Sequence, residues 1–222
     1  MAGSGRDNYR QALPAQDFAR MSVKLVMFDL GGVLVHIAPQ RFLAKMAEAT
    51  GKSAESLQPS LEDRKLLEAL EMGRINPRHF YEQLKERTGV GWTYEQFVNA
   101  WNSIIVDENL DITWMLERLR TRYKLLVLTN TDPVHDTYIR NTWPVFSAIP
   151  LWIASYAVGH RKPDPRIFEL ALREADVQPR ETVYIDDLAE HIETARHLGI
   201  PTIHFTEGMV LERELQALGV HV

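Results

Sequence analysis

The chain has 222 residues, 45% hydrophobic and 25% charged, which is enough for one good core plus a modest second module and too apolar for a disordered chain. Its 25 basic and 30 acidic residues leave a net charge of -5, which excludes the basic footprint expected for nucleic acid or for an anionic membrane surface and favours a small ligand. Cysteine is absent, which excludes a disulfide framework, thiolate chemistry and cysteine-held zinc, and fits a reducing cytoplasm.

Residues 1–20, MAGSGRDNYRQALPAQDFAR, start with a Gly/Ser stretch and show no period, so they read as an extension or a cloning remnant. They are too polar for a signal peptide, and no apolar run approaches the roughly 18 residues that a membrane helix needs. From Ser22 the pattern tightens. VKLVMF is a strand-like apolar run, closed by Asp29 and then by the glycine pair Gly31 and Gly32. The stretch 39–110 is expected to be helical, with segments at 40–50, 61–71, 77–88 and 94–105, broken at Gly51, Pro59, Gly73, Pro77 and 89–91, and with no strand. Trp92, Tyr94, Phe97 and Trp101 recur there at near-helical spacing and are expected mostly in that block's own core, with one or two of them free to close over a ligand. After 110 the character changes: helix at 112–122, strand YKLLVLT, helix from 132, strand at 151–155, helix at 165–175, strand ETVYID, helix at 188–198, strand PTIHF and helix at 209–218. Apolar strands alternating with amphipathic helices predict an α/β fold, a doubly wound parallel sheet with helices on both faces. The expected units are a core of 21–38 and 111–222 and a helical block, 39–110, inserted after the first strand.

Such a sheet binds ligands in the crevice at the carboxyl ends of its strands. The first strand ends in Asp29, the second in Thr129 and Asn130, and the fourth in Asp186 and Asp187, while the loop before the helix at 165 carries Lys162. Carboxylates from different strands plus a backbone carbonyl make an oxygen site of the kind Mg²⁺ accepts. An aspartate beside it can act as nucleophile and form an aspartyl-phosphate, with Thr129 and Lys162 holding the phosphoryl oxygens. Each residue also has a plainer reading. Asp29 can serve as a turn or capping residue, Asp186 and Asp187 as caps for the next helix, and Lys162 as a solvated loop lysine.

The ordered set FDLGGVL, LVLTNT, GHRKPDPRIF and VYIDD resembles the haloacid dehalogenase-like hydrolase superfamily, across residues 23–205, and the inserted block resembles that superfamily's small helical cap. The resemblance implies Asp29 as nucleophile and metal ligand, and Gly31 as the residue lending a carbonyl to the metal. It implies Thr129, Asn130 and Lys162 for phosphate binding, Lys162 also for the nucleophile, and Asp186 and Asp187 for magnesium, with Asp187 the direct ligand and Asp186 behind it. The expected activity is Mg²⁺-dependent hydrolysis of a small phosphorylated metabolite by a cytoplasmic monomer or homodimer, with a cap that opens and closes about Ile37 and 109–112. Two rival activities are 2-haloacid dehalogenation and phospho-metabolite binding without turnover.

Position 31 departs from the pattern. Most phosphatases of that superfamily carry an aspartate there as acid and base, and Gly31 supplies no proton. Either the substrate has a good leaving group, or a histidine (His36, His135 or His160) takes over part of the role, or the site binds without turnover. FDLGGVLV, SYAVGHRKPDPRIF and YEQFVNAW resemble the subgroup of alpha-glucose-1-phosphate phosphatases, which favours the first and a sugar phosphate.

Overall fold

The computed structural model describes residues 22–61 and 64–222; the expected extension over 1–20 lies outside the described residues. Strand β1 (Leu25–Phe28) is buried on both faces, as a central parallel strand must be. It is followed by β2 (Val35–Ile37), helices α1 (Pro39–Thr50), α2 (Ala54–Leu61), α3 (Arg64–Glu71), α4 (Pro77–Thr88) and α5 (Tyr94–Asn102), and strand β3 (Ile105–Glu108). The remainder runs α6 (Leu110–Thr113), α7 (Leu116–Leu119), β4 (Lys124–Thr129), α8 (Pro133–Thr142), β5 (Leu151–Ala154), α9 (Ser155–Val158), α10 (Pro165–Ala175), β6 (Thr182–Asp186), α11 (Ala189–His197), β7 (Thr202–His204) and α12 (Leu211–Ala217). No helix of the described residues is long and apolar enough to cross a membrane.

The strands of the main sheet lie in the order β5-β4-β1-β6-β7, all parallel. Successive side chains of a strand point to opposite faces, so Val26 and Phe28 enter one hydrophobic cluster and Leu25 and Met27 the other. Phe28 pairs with Val127 on one side and Ile185 on the other, so Asp29 leaves the sheet between the ends of β4 and β6. The sheet therefore places the polar ends of β4, β1 and β6 side by side.

Helices α1–α5 have a third apolar cluster of their own, in which Phe42, Met46, Phe80, Phe97 and Trp101 are buried. Thr93 and Gln96 form a reciprocal capping box that starts α5. The chain here differs from expectation in three ways. Residues 54–61 form a separate helix with Pro59 inside it, not a break at Pro59. The helix from Tyr94 stops at Asn102, and Ile105–Glu108 instead pairs antiparallel with Val35–Ile37, so the stretch 39–110 does contain a strand. Strands this short show no readable alternation, and their partners are some seventy positions apart in sequence. The helix expected at 112–122 is two short ones, α6 and α7.

Candidate active site

Asp29 is anchored by its backbone before its side chain is considered. Its N–H donates to the Ile185 carbonyl at 2.8 Å, locking the ends of β1 and β6 together. Its Oδ1 accepts from the Leu30 N–H at 2.6 Å and lies 2.8 Å from Lys162 Nζ. Oδ2 has no partner among the described residues. Lys162 is fully buried, and its ammonium also reaches Asp186 Oδ2 at 2.7 Å. The loop that delivers it is clamped by Asn130, whose Oδ1 accepts from the Lys162 N–H at 2.8 Å and whose Nδ2 donates to the Lys162 carbonyl at 2.9 Å. Both polar atoms of the Asn130 side chain thus hold the lysine, while Thr129 sits buried at the end of β4 beside it.

Burial dominates the electrostatics. It pushes the Asp29 carboxyl up to about 7; Lys162 pulls the other way and Asp186 adds to the rise. Burial also opposes the charge on Asp186, yet Lys162 and His191 outweigh it and hold that carboxyl below the usual range. Lys162 is raised for the same reason: burial disfavours its charge, and the two aspartates more than restore it. Asp186 is saturated by protein donors, accepting from Lys162, the Tyr184 hydroxyl, the Leu188 N–H at 2.8 Å and His191 Nδ1 at 3.0 Å. The ligand atoms of Asp29, Asp186 and His191 lie within 4.8 Å of one another, close enough for a metal ion. The Lys162 ammonium, however, already serves both carboxylates of that trio.

Asp187 is different. It is half-buried, burial and then Asp186 push its carboxyl up, and its side chain makes no hydrogen bond to another described residue. It packs over Gly32, where φ is +80° and a Cβ would overlap Asp187 Oδ2. The second glycine of the pair therefore clears space for a carboxylate. Gly31 is not held to glycine by space, since a Cβ there would meet only Ile37 at 3.5 Å. The carboxylates of Asp29 and Asp187, with the Gly31 carbonyl two residues beyond Asp29 in the chain, are a hard-oxygen donor set that fits Mg²⁺.

Two of the three candidate histidines are committed elsewhere. His135 is buried, its Nε2 2.9 Å from the Trp101 carbonyl and its Nδ1 3.1 Å from Asp132 Oδ2, with its ring stacked on Trp101. His36 is exposed and pairs with Asp107 at 2.7 Å. The Nδ1 of His160 is buried without a hydrogen-bond partner. Sequence reasoning missed Tyr184 and His191, which complete the Asp186 cage, and the pair Arg161 and Glu71, which joins the helical block to the Lys162 loop at 2.9 Å. Tyr184 looked like one more strand residue, and the others have no motif to mark them.

The haloacid dehalogenase-like hydrolase family matches residues 23–199. A D-ribitol-5-phosphate phosphatase from Bacteroides thetaiotaomicron is 27% identical over 204 residues, covering 88% of this chain and 98% of the relative. The sesquiterpene phosphatase astK of Aspergillus oryzae is 25% identical over 88% of this chain and 96% of its own. Among solved structures, a family enzyme from Bacteroides thetaiotaomicron in complex with magnesium and inorganic phosphate superposes with a TM-score of 0.77 at 27% identity, covering 84% of this chain and 96% of that one.

Proposed function

The chain belongs to the haloacid dehalogenase-like hydrolases, and from that premise we propose that it is a Mg²⁺-dependent phosphatase hydrolysing a small phosphomonoester through an aspartyl-phosphate on Asp29. The observation that carries this is the asymmetry of the Asp29 carboxylate. Oδ1 is held by Leu30 and Lys162, while Oδ2 is unpartnered and available to attack phosphorus. The site favours a phosphomonoester over carbon chemistry, because Asp187 gives it a half-buried carboxylate whose side chain has no hydrogen-bond partner among the described residues. A sugar phosphate is the substrate class supported by the name of the ribitol phosphate relative and by the subgroup motifs.

Asp29, Asp187 and the Gly31 carbonyl would hold the Mg²⁺, and Asp186 would support them from behind. When bound, the ion neutralises phosphoryl charge so that an anionic nucleophile can approach. The chain's own residues do the rest. Lys162 and Thr129 hold the phosphoryl oxygens, and Asn130 keeps Lys162 in register by gripping its backbone. Burial removes water from the carboxylate and raises its basicity. The departing alkoxide receives no proton from residue 31, a contribution of roughly 10²- to 10⁴-fold elsewhere, so a good leaving group is favoured. Helices α1–α5 form a cap that moves about Ile37 and residues 109–112, where the Asn109 side chain donates to the Val33 carbonyl at 3.0 Å.

The test is a phosphate-release screen over sugar and nucleotide monophosphates with and without Mg²⁺, beside Asp29→Asn. Release that requires both Mg²⁺ and Asp29 is expected. Halide release from 2-haloacids in metal-free buffer would instead support dehalogenation.

A further inference from the structure

Between α1–α5 and the strand ends lies a cavity of about 330 Å³, the size of a small-ligand pocket. Gly31, Thr129, Asn130 and Thr131 border it at the strand ends, where a phosphoryl group would sit. Its walls are hydrocarbon: Ile37, Phe42, Leu67, Phe80, Trp101 and Ile139. The titratable side chains lining it are Glu71, Asp132 and His135, and two of these are fully engaged. Asp132 Oδ1 accepts from the N–H groups of Val134 and His135, and Oδ2 accepts from Trp101 Nε1 at 2.9 Å and meets His135 Nδ1 at 3.1 Å. His135 Nε2 is turned to the Trp101 carbonyl. Glu71 is not saturated. Arg161 Nε donates to its Oε2 at 2.9 Å, and Oε1 has no partner among the described residues.

Away from the strand ends, where the Thr129 and Thr131 hydroxyls lie, an entering hydroxyl meets one open side-chain acceptor among the described residues, Glu71. Each further hydroxyl buried against the walls loses its water without replacement. We infer that Glu71 is the specificity-determining residue of this site, accepting a hydrogen bond from one hydroxyl of the substrate, so that hydroxyl-poor phosphomonoesters are selected over polyol phosphates. This rests on the phosphatase reading and narrows the sugar-phosphate class to its least hydroxylated members. It also explains why a cap helix presents a carboxylate to a largely apolar cavity. Arg161 neighbours Lys162 in the chain, so the same ion pair fixes the acceptor relative to the phosphoryl site.

A six-carbon series isolates the effect: hexyl phosphate, 6-hydroxyhexyl phosphate and glucitol 6-phosphate, with p-nitrophenyl phosphate as the general phosphatase probe and Mg²⁺ throughout. The expected kcat/KM is highest for the hydroxyhexyl ester and at least about tenfold lower for the glucitol ester. Glu71→Met should remove the advantage of the hydroxyhexyl over the hexyl ester, bringing their kcat/KM ratio to about one. Leu67→Asn, which places an amide on the wall, should raise turnover of the glucitol ester relative to the hexyl ester. Equal or faster turnover of the glucitol ester, or a Glu71→Met variant that slows all three substrates alike, overturns the inference. Release from p-nitrophenyl phosphate alone overturns it too. Release from nothing, p-nitrophenyl phosphate included, overturns the phosphatase reading itself.

Discussion

Two adjacent glycines stand for two different physical demands. Gly32 occupies a left-handed conformation against the Asp187 carboxylate, so Gly32→Ala adds backbone strain and displaces an acid proposed to hold Mg²⁺. We expect a stability loss of roughly 1–2 kcal/mol and an increase of about tenfold or more in the Mg²⁺ needed for half-maximal activity, read by titrating the ion against phosphate release. An unchanged Mg²⁺ requirement would remove Asp187 from the proposed metal site. Gly31 has room for a larger side chain. Gly31→Asp should therefore fold with a stability change under about 1 kcal/mol and accelerate esters of poor leaving groups more than esters of good ones. Equal acceleration, or none, would show that leaving-group protonation is not what this position lacks. Asp29, Asp186 and Asp187 stood out in the sequence because each ends or directly follows an apolar strand, where a charge needs a reason; Lys162, in the loop before α10, was marked only by the resemblance of GHRKPDPRIF. The actual work of Asn130, gripping a backbone thirty-two residues away, leaves no local trace.

Elements meet at two polar ties between the inserted helices and the sheet. One is Arg161 to Glu71 and Glu68; the other joins α5 to the start of α8 through Trp101, Asp132 and His135. In the second, burial alone would lower the His135 pKa, but the Asp132 carboxylate outweighs it and raises it above the ordinary 6.5. Burial likewise works against the charge on Asp132, which the imidazolium beside it more than offsets, leaving that carboxyl lowered. The histidine's contribution is therefore fully present below pH 6.5 and is lost as pH rises through its folded value. His135→Gln should cost roughly 1.5–3 kcal/mol at pH 6 and clearly less at pH 9.5, measured by urea unfolding in parallel with wild type. A cost that does not change with pH would mean the imidazole is neutral in the folded protein. The long alternating elements were legible because periodicity declares itself over a dozen residues, as in α10, where Ile167, Phe168, Ala171, Leu172 and Ala175 form the buried stripe. Strands β2 and β3 were not, because three or four residues carry no period and antiparallel pairing across the whole helical block is a tertiary fact.

The described chain is a parallel sheet that gathers acids at the carboxyl ends of its central strands and a helical block that walls the space above them. Its strands lie in the order β5-β4-β1-β6-β7, and the central position of β1 puts Asp29 between the ends of β4 and β6, which carry Thr129 and Asp186. Of the cavity's apolar walls only Trp101, one of the aromatic set 92–101, was foreshadowed by the sequence; Phe42 and Phe80 look like block core and serve as that and as lining together. The central claim is that Asp29 takes up the phosphoryl group, and it can be observed directly. Enzyme with Mg²⁺ is mixed rapidly with a substrate that it turns over, quenched in acid within one turnover, digested and analysed by mass spectrometry of the peptide containing residue 29. The account predicts one added phosphoryl group on Asp29, present at the earliest times and absent from Asp29→Asn. Phosphate release without that adduct, or undiminished turnover by Asp29→Asn, would contradict it.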